Sequence, residues 1–141
     1  MVNVMLVKKL LADLREKKQI LEGRKIKSFS EFRSDPFLHN GVQHLLEIMV
    51  EIAVDIGNHI IADEGWGTPS SNREIFEILE HHRVISKDAG ALARKMVGFR
   101  NIVVHMYEKV DLEEVYAIYK RRLGDFEKFA KEIEKFIAKK R

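Results

Sequence analysis

The stretch HLLEIMVEIAVDIGNHII, residues 44–61, is apolar around almost its whole helical circumference. Only a narrow polar stripe interrupts the apolar residues, and it consists of Glu47, Glu51, Asp55 and His59. A helix that is apolar on almost every side is buried on almost every side. The stretch therefore predicts either the central helix of a bundle or a helix that also packs against a second copy of the chain, most simply in a two-fold dimer.

The segments on both sides of this stretch also carry apolar residues at helical spacing, and only two prolines interrupt the chain. Pro36 fits the opening turn of the long helix, and Ser71 with Glu74 has the spacing of a capping box. The sequence predicts an all-α protein, an antiparallel bundle of four to five helices in one domain over residues 1–141. The predicted helices cover residues 4–21, 36–61, 72–82, a segment capped by Ser86, and a last segment that begins at Asp111 and ends near residue 138. Polar linkers are expected at residues 28–35 and 63–72.

The composition narrows the classes of protein to which the chain can belong. A formal net charge of +3, from 25 basic and 22 acidic residues, permits an anionic partner without requiring one. The sequence contains no cysteine, which excludes disulfides, thiolate zinc sites and a cysteine nucleophile.

Membrane and metal sites are not expected. The apolar runs are shorter than the roughly 20 residues that a membrane span needs, and the N-terminus lacks the pattern of a signal peptide. A cytoplasmic protein is therefore predicted. The histidines outside the motif described next lack H-E-x-x-H spacing and cysteine partners, so no metal site is expected; they are at positions 39, 44, 59, 81 and 82. No cofactor is expected either.

A second stretch, GFRNIVVHMY at residues 98–107, places polar residues in an apolar segment: Arg100, Asn101, His105 and Tyr107. Buried polar groups cost free energy unless they are satisfied, so the stretch is either a polar network in the core or a site. At about 100° per residue, Asn101 and His105 lie ~40° apart on a helix, whereas Arg100 and His105 lie ~140° apart. The long arginine can partly close this gap, and fraying of the helix before Asp111 can close the rest. A second copy related by a two-fold axis would more simply bring one chain's Arg100 near the other's His105.

These residue types suit chemistry at a phosphate. Arginine is always protonated and its donor fork matches phosphate oxygens, while histidine exchanges a proton near neutral pH. Together they suit attack of an RNA 2′-hydroxyl on the adjacent phosphate, which needs only proton transfer and charge stabilisation. The structural alternative is an ion pair of Arg100 with Glu51 or Asp55, together with an Asn101 bonded to a neighbouring helix and a Tyr107 that anchors the helix end.

The stretch at residues 98–107 resembles the R-x4-H-x-Y motif of the HEPN superfamily, specifically the HepT-like toxins of MntA–HepT toxin–antitoxin systems. EIAVDIGNHII at residues 51–61 and ISKDAGALARKMVGFRNIVVHMYEKVD at residues 85–111 are also similar to the second helix and motif region of that family. The likeness covers most of residues 40–120. It implies a HEPN-like helical bundle that forms a homodimer, with the two motifs facing each other across a cleft.

The resemblance also implies a function. The HepT-like members of the family resemble metal-independent endoribonucleases that cut RNA, which is tRNA in some cases. By the family motif, Arg100 is expected to stabilise the phosphate and His105 to transfer a proton. Asn101 is expected to orient the histidine or the substrate. Tyr107 matches the tyrosine to which a cognate minimal nucleotidyltransferase antitoxin, similar to MntA, adds AMP. The second-helix residues of the family that can line the cleft match Glu51, Asp55 and His59.

Two other functions remain open from the sequence. The chain can be a non-catalytic subunit that binds nucleotide or RNA and forms a complex with the nucleotidyltransferase. It can also be a structural helical dimer whose motif is an interface network. In the structural case, Arg100→Ala is expected to impair assembly first.

Overall fold

A computed structural model of the chain describes the backbone of residues 2–105 and 111–140, with side chains for residues 2–99 and 111–140. These ranges contain helices and no strand, which confirms the all-α prediction. The helices are α1 (Val4–Gly23), α2 (Phe29–Ser34), α3 (Pro36–Glu64), α4 (Asn72–His81), α5 (Lys87–His105), α6 (Leu112–Arg121) and α7 (Leu123–Ala138). The predicted number of four to five helices is therefore wrong, since seven are present in the described part of the chain.

The short helix α2 lies in the segment that was expected to be a polar linker. Ser28 Oγ accepts a hydrogen bond from the Glu31 N–H at 3.1 Å, and a Glu31 carboxylate oxygen accepts one from the Lys27 N–H at 2.9 Å. Phe32 is fully buried against Tyr116, with ring centroids 5.2 Å apart. Phe29 also lies against Tyr116, with ring centroids 5.7 Å apart. These aromatic contacts hold a segment that is too polar and too short to show a clear helical period.

The last predicted helix is broken at Arg122. The Arg122 N–H closes α6 by donating to the Ile118 carbonyl at 2.8 Å, and the Arg122 carbonyl accepts from the Asp125 N–H at 3.0 Å. The buried residues continue across the break at helical spacing, as Tyr119, Leu123 and Phe126 illustrate. Because the apolar pattern has no gap, periodicity alone predicts one helix where the backbone forms two.

Helix α3 lies at the centre of the fold. It packs against α1, α2, α4, α5 and α6 of its own chain, and its buried side chains point in several directions. Of its large apolar residues, Leu38, Leu45, Ile48 and Val54 are partly buried, and Phe37 in the first turn is exposed. The chain itself therefore covers most of the apolar circumference of α3, and the homodimer stays a prediction.

Both ends of α3 follow local rules. Asp35 caps its first turn by accepting from the Leu38 N–H at 3.3 Å, with Pro36 directly after the cap as predicted. At the other end Gly65 has a φ of +70°, a conformation that glycine adopts at little cost. The N–H of Trp66 then bonds back to the Ile61 carbonyl at 3.0 Å, which ends the helix.

No helix among the described residues is both long and apolar enough to cross a membrane.

Two glycines of α3 have opposite surroundings. A Cβ at Gly57 would overlap Ile75 Cγ2 and lie 3.2 Å from Leu79 Cδ1, both on α4, whereas a Cβ at Gly41 would meet nothing within 4 Å. Gly57→Leu is therefore expected to destabilise the fold by about 1–3 kcal/mol through overpacking. Gly41→Leu is the matched control in the same helix and is expected to raise stability by roughly 0.5–1 kcal/mol through helix propensity. Thermal unfolding of both variants measures the difference, and equal melting temperatures would contradict close α3–α4 packing.

Candidate active site

Helix α5 carries the motif residues. It runs without interruption from Lys87 to His105, so the backbone of Arg100, Asn101 and His105 belongs to one helix. On this helix Asn101 and His105 are one turn apart, and Arg100 is ~140° from His105 around the axis. The side chains of Arg100, Asn101 and His105, and the whole of Tyr107, lie outside the described residues. Their roles therefore stay predictions.

The start of α5 is fixed by neighbouring helices. Ser86 Oγ caps it by accepting from the Ala89 N–H at 3.1 Å, as predicted, and the Ser86 N–H donates to Glu132 of α7 at 2.8 Å. Lys128 of α7 also approaches Asp88, with 3.9 Å between Nζ and Oδ2. These contacts set the direction in which α5 carries the motif.

The middle of α5 is joined to α4 by a partly buried ion pair. An Arg94 guanidinium nitrogen lies 2.7 Å from Glu80 Oε2, and about a fifth of each side chain is exposed. Burial raises the pKa of Asp125, at the start of α7, while the charges of Arg122, Lys128 and Lys95 oppose that shift. Asp125 lies beside Leu92 and Met96 of α5. The side of α5 that faces α7 is therefore mostly apolar.

The three α3 residues predicted to line the cleft share one exposed stripe. Glu51 and Asp55 are exposed and His59 is partly exposed. Asp55 Oδ1 lies 3.5 Å from His59 Nε2, so the structure brings these two residues together one helical turn apart. Exposure of the stripe is compatible with a cleft at a surface and does not by itself assign a role to any of the three.

A groove adjoins the motif on the α4 side of α5. It has a volume of about 460 Å³ and is lined by Ser71, Asn72, Arg73, Arg94, Val97 and Gly98; we call it the α4–α5 groove. Ser71 caps α4 as predicted, through a hydrogen bond from the Glu74 N–H at 3.1 Å. Val97 and Gly98 lie three and two residues before Arg100, so the groove reaches the part of α5 next to the motif.

A larger cleft of about 740 Å³ lies at the other end of α5, beside Ser86 and Lys87. Thirteen residues separate Lys87 from Arg100, which is about 20 Å along a helix. The cleft is mixed in charge, since Glu77 and Glu132 line it together with Lys135. Its size alone does not make it the site, because the residues that suit phosphate chemistry are at the opposite end.

Metal ligands do not gather in the described part of the chain. Among those residues no group of three or more histidine, aspartate or glutamate side chains is placed to hold a metal ion.

Sequence reasoning did not identify Arg73 and Arg94 as residues near the motif. The seven-residue spacing from Arg94 to Asn101 was a usable signal, because seven residues differ by only ~20° around a helix. No sequence signal connects Arg73 to the motif, since the two lie on different helices.

Comparison with known proteins shows the same fold and a common family. The family model described as ribonuclease HepT-like matches residues 10–133. The mRNA nuclease HepT of Shewanella oneidensis is 36% identical over 100 residues, which are 71% of this chain and 75% of that protein. The tRNA nuclease HepT of Aphanizomenon flos-aquae is 23% identical over 117 residues, 79% of this chain and 80% of that protein.

A solved structure gives the likeness in three dimensions. The tri-AMPylated Shewanella oneidensis HEPN toxin, in complex with MNT antitoxin, superposes with a TM-score of 0.84 at 29% identity. The superposition covers 95% of this chain and 98% of that one. On the family match over residues 10–133 and this agreement in fold, the chain belongs to the ribonuclease HepT-like family.

Proposed function

We propose that this chain is the toxin of a toxin–antitoxin pair and cleaves RNA without a metal ion. The observation that carries the proposal is the family match over residues 10–133, which includes the motif. The uninterrupted α5 supports it, because Arg100, Asn101 and His105 then keep a helical spacing relative to one another. The relatives named above are an mRNA nuclease and a tRNA nuclease, so the proposed substrate class is RNA.

The proposed reaction is an internal transfer at one phosphate. The 2′-hydroxyl gives up its proton, O2′ attacks the adjacent phosphorus, and the bond from phosphorus to O5′ breaks. The leaving oxygen takes a proton, which yields a 2′,3′-cyclic phosphate and a 5′-hydroxyl end. His105 transfers a proton at one of these two ends, and Arg100 stabilises the negative charge that grows on the phosphate oxygens. Asn101 orients the histidine or the substrate.

The proposed site is a cleft between two copies of the chain. Positions 100 and 105 are ~140° apart around α5, which favours a site to which two copies contribute. A two-fold axis near the end of α5 would combine Arg100 of one copy with His105 of the other. We assign Glu51, Asp55 and His59 to the edge of this cleft, since their stripe on α3 is exposed.

The proposed regulation is a covalent modification. A cognate minimal nucleotidyltransferase antitoxin would transfer AMP from ATP to Tyr107: the phenolic oxygen attacks the α-phosphorus and pyrophosphate leaves. The Shewanella oneidensis toxin structure is described as tri-AMPylated and in complex with MNT antitoxin, which supports this partner. We also propose a cytoplasmic location, where a cellular RNA substrate and ATP are both present.

The proposal is tested by incubating purified protein, shown by intact mass to carry no AMP, with tRNA and separately with an mRNA transcript. We expect cleavage of at least one RNA, undiminished by EDTA, with 2′,3′-cyclic phosphate at the new 3′ ends. No cleavage of either RNA would contradict the toxin proposal and favour the non-catalytic partner subunit. Cleavage that EDTA abolishes would contradict the metal-independent reaction.

A further inference from the structure

Two arginines on different helices line the α4–α5 groove. Arg73 is the second residue of α4 and is exposed, and Arg94 lies in the middle of α5. Within the residues whose side chains are described, Arg73 has no ion-pair partner. Its guanidinium therefore has five N–H donors that no described carboxylate occupies.

The side chain of Arg94 is held by an ion pair with Glu80 of α4. One of its terminal nitrogens donates to Glu80 Oε2 at 2.7 Å, and the rest of the guanidinium remains for another acceptor. Gly90 allows this contact, because a Cβ there would lie 2.9 Å from the same Glu80 oxygen. Glu74, the residue after Arg73, accepts a hydrogen bond from Ser70 Oγ through its Oε2 at 2.7 Å.

Arg94 of the groove shares one side of α5 with positions 101 and 105 of the motif, whereas position 100 is ~120° away. At about 100° per residue, positions 101 and 105 are each within ~20° of position 94 around the helix axis. Seven residues separate Arg94 from Asn101, which is about 10 Å along the axis. Neighbouring nucleotides of one RNA strand can span this distance, so a strand whose reacting phosphate is at the motif can continue into the groove.

We propose that the α4–α5 groove binds the RNA backbone beside the cleaved phosphate, with Arg73 and Arg94 as its phosphate contacts. This inference rests on the proposed function, since it assigns a subsite to the same substrate. Contacts to phosphates position a strand and do not read its sequence. The groove therefore sets the path of the RNA and contributes affinity for RNA of any sequence.

The first test measures RNA binding without cleavage. The probe is a fluorescein-labelled single-stranded RNA of mixed sequence, and the protein is the His105→Ala variant, with and without Arg73→Gln. Anisotropy titrations between about 50 and 200 mM salt give the slope of log K against log salt concentration. Loss of one phosphate contact on a single strand is expected to reduce that slope by about 0.7 and to weaken binding about fivefold near 0.1 M salt.

The matched control is Arg83→Gln in the same background. Arg83 is also an exposed arginine, but it lies beyond the opposite end of α4 and lines the larger cleft. We expect it to leave the slope unchanged, although it removes the same charge. Equal slopes for Arg73→Gln and Arg83→Gln would overturn the groove assignment.

The second test uses the protein with an intact motif and separates this inference from the proposed function. Arg73→Gln is expected to raise KM for RNA and leave kcat unchanged, because it removes binding that the ground state and transition state share. If the parent cleaves RNA and Arg73→Gln has the same KM as Arg83→Gln, the groove assignment fails and the ribonuclease stands. If the parent does not cleave RNA, the proposed function fails, and the salt slope alone decides whether the groove binds RNA.

Discussion

His105→Ala is expected to lower the rate of RNA cleavage by about 10²- to 10⁴-fold, because this is the range that a positioned acid or base contributes. The imidazole is the group in the motif that gains and loses a proton near neutral pH. Alanine removes it without adding charge or volume at the end of α5. The rate is measured on the RNA that the parent cleaves, with enzyme in excess so that binding does not limit the reaction.

The control for this prediction is His81→Ala. His81 is an exposed histidine at the end of α4, and it lines the larger cleft far from the motif. The His81→Ala protein is expected to cleave RNA at the parental rate. A His105→Ala protein that unfolds at the parental temperature and still cleaves at the parental rate would remove His105 from the mechanism.

Modification of Tyr107 is expected to reduce cleavage to background. An AMP group adds a negative phosphate and a bulky nucleoside two residues beyond His105 in the sequence. Negative charge close to Arg100 competes with the RNA phosphate for the guanidinium, and the nucleoside occupies space that the RNA needs. Incubation with the cognate nucleotidyltransferase and ATP is expected to add AMP, detected by intact mass, as cleavage is lost.

Tyr107→Phe separates modification from simple complex formation. The variant lacks the acceptor oxygen, so it is expected to keep its mass and its cleavage activity after the same treatment. Tyr116→Phe, at a half-buried tyrosine of α6, is the matched control and is expected to be inhibited like the parent. Loss of activity in Tyr107→Phe, with AMP found on another residue, would move the acceptor away from Tyr107.

The helix ends show which structural features can be predicted from a few neighbouring residues. Ser71, Ser86 and Asp111 cap helices where the sequence predicts caps, and Pro36 opens α3. Capping depends on residues within one turn of each other, so it can be recognised without knowledge of the rest of the fold. The break at Arg122 could not be recognised in this way, because the buried residues on its two sides keep one helical spacing.

The motif was found by resemblance together with spacing. Composition and spacing show that Arg100, Asn101 and His105 can share one helix and suit phosphate chemistry, and the family pattern then assigns their roles. The α5 backbone through His105 agrees with the helical spacing. The roles themselves are predictions for the experiments above.

Sequence alone was sufficient for the all-α class, the caps and the family, because these depend on short spacings along one chain. Two features depended on tertiary packing. The sequence left open whether α3 lies at the centre of its own bundle or against a second copy, and the other helices of the chain cover most of its apolar surface. Arg73 and Arg94 are 21 positions apart and line one groove because α4 packs beside α5. A contact between helices depends on how they pack, and no local spacing encodes it.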